Sequence, residues 1–169
     1  PLLDELSSSV CGNAEIVKAV VDQNRKGLKL DDVKRIDQEW QGAEQMLPIQ
    51  KEILGNACAQ NLKRILEGHR EIVETFVMDN QGALVGANNL TSDYWQGDEE
   101  KWQNSFKGGK GGVDVGAQKF DRSANAMLQQ ISLPIVDDGG TVVGAVTFGV
   151  DLGRLPRDRA GANPPGNAQ

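Results

Sequence analysis

Apolar side chains recur every three or four positions through the first third of the chain, and after Arg70 they alternate instead. The first pattern is helical and the second is that of strands. Ala14 to Lys26 sets Ile16, Val17, Val20 and Val21 on one side and halts near Gly27. "LDDVKRIDQEWQGAEQML" carries Val33, Ile36, Trp40, Ala43 and Leu47 as one stripe, with Asp31 as the expected N-cap and Asp32 in the first turn. Pro48 suits the first position of a third helix, which the set Ile53, Ala57, Leu62, Ile65 and Leu66 extends to about His69. "IVETFVMDNQGALVGA" then predicts a strand over Ile72 to Met78, a turn at Asn80-Gln81-Gly82 and a strand over Ala83 to Ala87. A second pair follows: Ala126 to Val136, a turn at Asp137-Asp138-Gly139-Gly140, and Thr141 to Leu152. With a short strand near Val113 to Ala117 between them, these predict one antiparallel sheet of five strands, one face covered by the amino-terminal helices, an α+β class.

Between the two hairpins lies the stretch 88–125, longer than a compact domain leaves without purpose. Its "TSDYWQGDEEKW" gathers the single tyrosine and two of the three tryptophans beside four carboxylates. "GDEEKWQNSF" predicts a short helix with Asp98 as cap and Trp102 and Phe106 four apart on one face. Folded over the open face of the sheet, this crossover turns its aromatics inward and its carboxylates outward. Two uses remain open: the rings fill the space as a second core, or they leave a pocket for a small molecule.

Composition narrows the partners. A formal charge of −6 argues against nucleic acid and anionic membranes, which need a basic footprint. No stretch approaches the ~20 apolar residues that span a bilayer, so no membrane insertion is expected. The chain starts at Pro1 without an initiator methionine, as a processed or trimmed product would. No Ser-His-Asp or Cys-His arrangement is visible, "GGKGGVDVG" lacks the Lys-Ser/Thr ending of a phosphate loop, and Asp114, Asp121, Asp137 and Asp138 suit turns better than a metal. No enzyme, metal or cofactor is implied. His69 is expected as a helix-end histidine near the negative pole of the macrodipole. Cys11 and Cys58 exclude CxxC patterns; they are either two small buried thiols or one disulfide, worth ~3–4 kcal/mol in the chain-entropy picture.

"FVMDNQGALVGANNLTSDYWQGDEEKW", then "GGVDVG" and "FDRSANAMLQQISLPIVDDGGTVVGAVTFGVDL", resemble the single-Cache (PAS-like, periplasmic) sensor domains over Asn56 to Leu152. The resemblance implies a Cache sheet of five to six strands, with residues 1–47 as a helical segment and 48–152 as the sensor domain; 153–169, almost without apolar side chains, is expected to be a disordered tail, a departure from the family pattern. It implies a non-catalytic, extracytoplasmic sensor, periplasmic or extracellular in a bacterium, holding a small carboxylate or amino-acid-like ligand between the sheet and the 88–112 crossover. The ligand-facing candidates are Tyr94, Trp95, Lys101 and Trp102, then Arg122, Gln130, Ser132 and Thr147. Lys101 or Arg122 would pair with an anionic group. With no membrane helix after the last strand, a free-standing binding protein serving a separate membrane receptor is expected; the second helix's stripe has two uses, burial against the third helix or pairing of two subunits in a homodimer. The alternative is a protein–protein interaction or dimerisation module whose aromatic loop is only core.

Overall fold

A computed structural model describes residues 2–122 and 125–155. The chain runs α1 (Leu2–Leu6), a π-helical turn (Ser7–Cys11), α2 (Ala14–Arg25), α3 (Leu30–Gln41), α4 (Pro48–Gly55), α5 (Ala57–Ile65), β1 (Ile72–Met78), β2 (Leu84–Ala87), α6 (Glu100–Phe106), β3 (Asp114–Val115), β4 (Lys119–Asp121), β5 (Ala126–Val136) and β6 (Val142–Asp151). The strands form one antiparallel sheet of six in the order β2-β1-β6-β5-β3, with β4 also pairing β5. This is the α+β class expected, N-terminal helices on a central sheet. The short strand β4 is additional to the elements read from the sequence, and disorder of the tail beyond residue 155 lies outside the described residues.

Local chemistry moves several helix ends. The second stripe stops at Gln41 because Gly42 closes the helix, and Leu47 must be extended (ψ 154°) ahead of Pro48. Lys29, not Asp31, is the N-cap of α3, so both aspartates sit in its first turn. Pro48 does begin α4, and Gln50 folds back so that its Oε1 accepts the Leu47 N–H at 2.8 Å. The long third helix divides at Asn56, whose side chain accepts from the Ala59 N–H at 3.0 Å and donates to the Val85 carbonyl at 2.7 Å. That side chain caps α5 and ties it to β2. His69 lies beyond the end of α5, past Gly68 (φ +92°), and meets Glu71 at 3.0 Å and Glu5 at 3.6 Å, so a carboxylate pair holds it rather than a helix dipole.

Alternation along the strands divides the sheet into two chemically distinct faces. On one, Val146, Phe148 and Val150 of β6 with Leu133 and Ile135 of β5 form a buried core under Leu6, Val10, Ile16, Val20 and Leu62. On the other, Phe76, Met78 and Ala145 pack with Tyr94 of the crossover, and Val33 and Trp40 of α3 join them. Of the amino-terminal helices, α1, α2 and α5 therefore cover the first face, while α3, α4 and the crossover share the second.

Cys11 and Cys58 are free thiols, both buried in the first core, so the disulfide left open by the sequence is not formed here. Burial pushes the Cys11 thiol up to about 11 and the Cys58 thiol up to about 12. Thiolate is the reactive form, so both should resist a thiol-labelling reagent in the native protein at neutral pH. Both should react in full once urea unfolds the chain. Absence of labelling under non-reducing denaturing conditions would reveal a bridge instead.

Candidate functional site

The β1–β2 turn is the base on which the crossover is built. Asp79 bends back so that its Oδ1 accepts the N–H groups of Gln81 at 2.8 Å and Ala83 at 3.0 Å. Gly82 (φ +85°) completes the turn, and a Cβ there would lie 2.5 Å from the backbone of Gly97. The crossover runs close by in extended form: Leu84 N–H donates to the Tyr94 carbonyl at 3.0 Å and Gln96 N–H to the Gly82 carbonyl at 2.8 Å. From the other side α3 clasps the same segment. Asp37 Oδ1 accepts both the Tyr94 N–H at 2.8 Å and the Trp95 N–H at 2.9 Å, and Trp40 Nε1 donates to the Thr91 carbonyl at 2.9 Å.

The aromatics of the crossover face the sheet and complete a core. Tyr94 is 2% exposed, its ring centroid lies 5.7 Å from that of Trp40, and burial raises its phenol well above the ordinary range. Trp95 Nε1 donates to the Gln81 carbonyl at 2.8 Å and Trp102 Nε1 to the Asp79 carbonyl at 3.1 Å. Trp102 stacks on Phe106 with centroids 5.1 Å apart. Both indole N–H groups are thus spent on the hairpin turn beneath them. Under α6, Ser132 Oγ and Thr147 Oγ1 are fully buried and bonded to each other at 2.8 Å.

Beside this core lies a cleft of about 560 Å³, open on one side. The crossover supplies Ser92, Glu99 and Lys101, the β3–β4 segment supplies Lys119, Phe120 and Arg122, and the sheet supplies Glu74, Leu128 and Gln130. Lys101 Nζ is held 2.8 Å from Glu99 Oε2 and sits 5.2 Å above the Phe76 ring. A second, more open hollow of about 660 Å³ adjoins residues 151–154, where Asp151 and Arg154 already pair at 3.0 Å. The first is the better candidate: it lies where crossover and sheet meet and presents charges of both signs.

Of the residues singled out from the sequence, Lys101, Arg122 and Gln130 line this cleft. Tyr94, Trp95, Trp102, Ser132 and Thr147 are not among its lining residues; their polar atoms or rings are engaged in packing beside it. Glu74 and Lys119 line the cleft as well and are not among the residues singled out from the sequence; only Glu74 carries a signal there. Its signal is a lone carboxylate inside the apolar run Ile72–Met78 of β1. Among the described residues no group of three His, Cys, Asp or Glu side chains is disposed to hold a metal ion, and no helix is long and apolar enough to cross a membrane.

No protein-family model matches the chain, and no curated protein does. Solved structures do. The sensor domain of the Vibrio cholerae histidine kinase DctB is 11% identical with a TM-score of 0.47, covering 89% of this chain and 49% of that one. The ligand-binding domain of the Pseudomonas aeruginosa PAO1 amino acid chemoreceptor PctC, in complex with GABA, is 12% identical at 0.45, covering 82% and 58%. The ligand-binding domain of the Campylobacter jejuni chemoreceptor Tlp3, in complex with L-valine, is 15% identical at 0.43, covering 88% and 57%. The chain spans about half the length of these sensor domains.

Proposed function

We propose that this chain is a non-catalytic sensor module of Cache type that binds a small organic molecule in the cleft between sheet and crossover. One observation carries the reading: charged side chains of both signs converge on a cleft whose wall is the crossover itself. A ligand there touches the segment that α3 clasps through Asp37 and Trp40, so occupancy and the position of that helix are mechanically linked. The resemblance in sequence to periplasmic sensors supports an extracytoplasmic setting, with a membrane receptor or a second copy as the reader of that change. The ligand class is a small carboxylate or amino acid.

The buried aromatics favour a second reading, since rings whose N–H groups are already spent make a core that needs no ligand. Under that reading the module serves only protein contacts. Differential scanning fluorimetry and calorimetric titration against small carboxylates, amino acids and amines separate the two. A binder at a hundredfold excess over its Kd should raise Tm by about 5–10 °C. Lys101→Ala should weaken that binding. A flat panel, with Tm unmoved by any compound, would leave the interaction module standing alone.

A further inference from the structure

Three residues lie in one row across three strands: Glu74 of β1 and Gln130 of β5 both register against Gly149 of β6. Their Cα atoms are two strand spacings apart, about 9.6 Å, too far for side chains to meet over an ordinary middle residue. Because the middle position is glycine, Glu74 lies flat across it, and Gln130 Nε2 donates to Glu74 Oε1 at 2.8 Å. A Cβ on Gly149 would come 2.3 Å from Glu74 Cγ and 2.8 Å from its Oε1. A fixed carboxylate therefore forms the floor of the cleft, in a space that the adjacent strand leaves empty.

Its partner on that floor is a neutral amide. No ion pair reaches Glu74 among the described residues, although the cleft holds three cations. Lys101 is bound to Glu99. Lys119 and Arg122, on the β3–β4 wall, have no ion pair among the described residues either. A carboxylate and two cations, none in an ion pair among the described residues, thus stand around one cavity that Asp121 also lines, with Phe120 and Leu128 as apolar wall between polar ends. Charges of both signs left open together are complementary to a dipolar molecule and not to a simple anion.

We infer that Glu74, given room by Gly149, is the specificity-determining residue of the cleft: it receives a ligand's ammonium group, so the ligand is an amino acid and not a plain carboxylate. Lys119 and Arg122 take the ligand's carboxylate. The inference rests on the cleft being a ligand site, as proposed above, and refines which of the two ligand classes fits it.

The test is calorimetric titration of the full chain with the twenty L-amino acids and GABA, then with the desamino acid and the decarboxylated amine matching the best binder. The amino acid should bind at least tenfold more tightly than either analogue. Glu74→Gln keeps the length of the side chain and an oxygen to accept from Gln130, so its Tm should stay near that of the parent. Its affinity for the amino acid should fall about ten- to hundredfold, while the desamino analogue binds unchanged or better. Gly149→Ala, which displaces Glu74 without removing charge, should show the same selective loss. A desamino acid that binds as tightly as its amino acid, or an amino acid affinity untouched by Glu74→Gln, overturns the role of Glu74 while leaving a carboxylate sensor intact. An amine that binds as well without its carboxylate overturns it too. Binding by none of the compounds overturns both this inference and the sensor reading.

Discussion

Asp79→Ala should destabilise the protein by roughly 3–5 kcal/mol, read as an early urea midpoint and a Tm lower by about 10 °C or more. The carboxylate is 2% exposed, and three donors converge on it: the N–H groups of Gln81 and Ala83 on Oδ1, and Gln23 Nε2 on Oδ2 at 2.9 Å. Alanine leaves the buried Ala83 N–H without a partner, strips the part-buried Gln81 N–H of its acceptor, and leaves Gln23 Nε2 only the Leu84 carbonyl. Its own carbonyl anchors Trp102, so a loosened turn also loosens the crossover. The other hairpin provides an internal control. Asp137 Oδ1 accepts the N–H groups of Gly139 at 3.0 Å and Thr141 at 2.8 Å, the same arrangement, but these bonds are exposed. Water replaces the lost acceptor there, and Asp137→Ala should cost about 1 kcal/mol or less. Equal losses at the two turns would show that burial does not set the cost.

Burial also raises the Asp79 carboxyl above its ordinary value, against the lowering effect of the hydrogen bonds it accepts from Gln23, Gln81 and Ala83. The sign follows from proton uptake. Between the unfolded and the raised folded pKa, the folded state binds more proton than the unfolded one, so this group's contribution to stability grows as pH falls and is lost as pH rises through that window. Asp79→Asn should flatten that part of the stability–pH curve. It should also cost less than alanine, because an amide oxygen still accepts from the turn, while its NH₂ meets a Gln23 amide already donating to the Leu84 carbonyl at 3.0 Å.

Elements fixed by local chemistry were legible in the sequence. The bounds of β1 and β5 agree with the alternating runs Ile72–Met78 and Ala126–Val136, and α6 places Trp102 and Phe106 on one face as their spacing requires. Asn56 was misread because a helix-spaced set of apolar residues runs through it, and only its bonds to Ala59 and Val85 reveal a break. Of the cleft's lining, the sequence singles out Lys101, Arg122 and Gln130 but not Glu74. What singles out Glu74 is a row of three residues separated by tens of positions, one of them a glycine, and register of that kind is a tertiary property. The aromatics leave core and pocket both open in the sequence for a related reason. Their indole N–H groups suited a ligand equally well, and it took the close approach of the β1–β2 turn to consume them.

Trp102→Ala should cost about 3 kcal/mol and yet leave ligand affinity within threefold of the parent. The ring packs against the second core, stacks on Phe106 at 5.1 Å and donates to the Asp79 carbonyl. Truncation removes all three contacts at once and leaves a void under α6. The Asp79 carbonyl keeps the Gly82 N–H at 3.1 Å, so it is not left unsatisfied, and this holds the loss below that of Asp79→Ala. Trp102 does not line the cleft, whereas its neighbour Lys101 does, so adjacent positions should separate the two properties. Lys101→Ala should weaken binding and cost less stability than Trp102→Ala, because its half-open partner Glu99 returns to water when the pair is lost and no indole-sized void is left. Urea unfolding and titration of both variants measure the separation. If Trp102→Ala instead loses ligand tenfold or more with its unfolding midpoint unchanged, the indole is part of the binding surface and the cleft has been placed on the wrong side of α6.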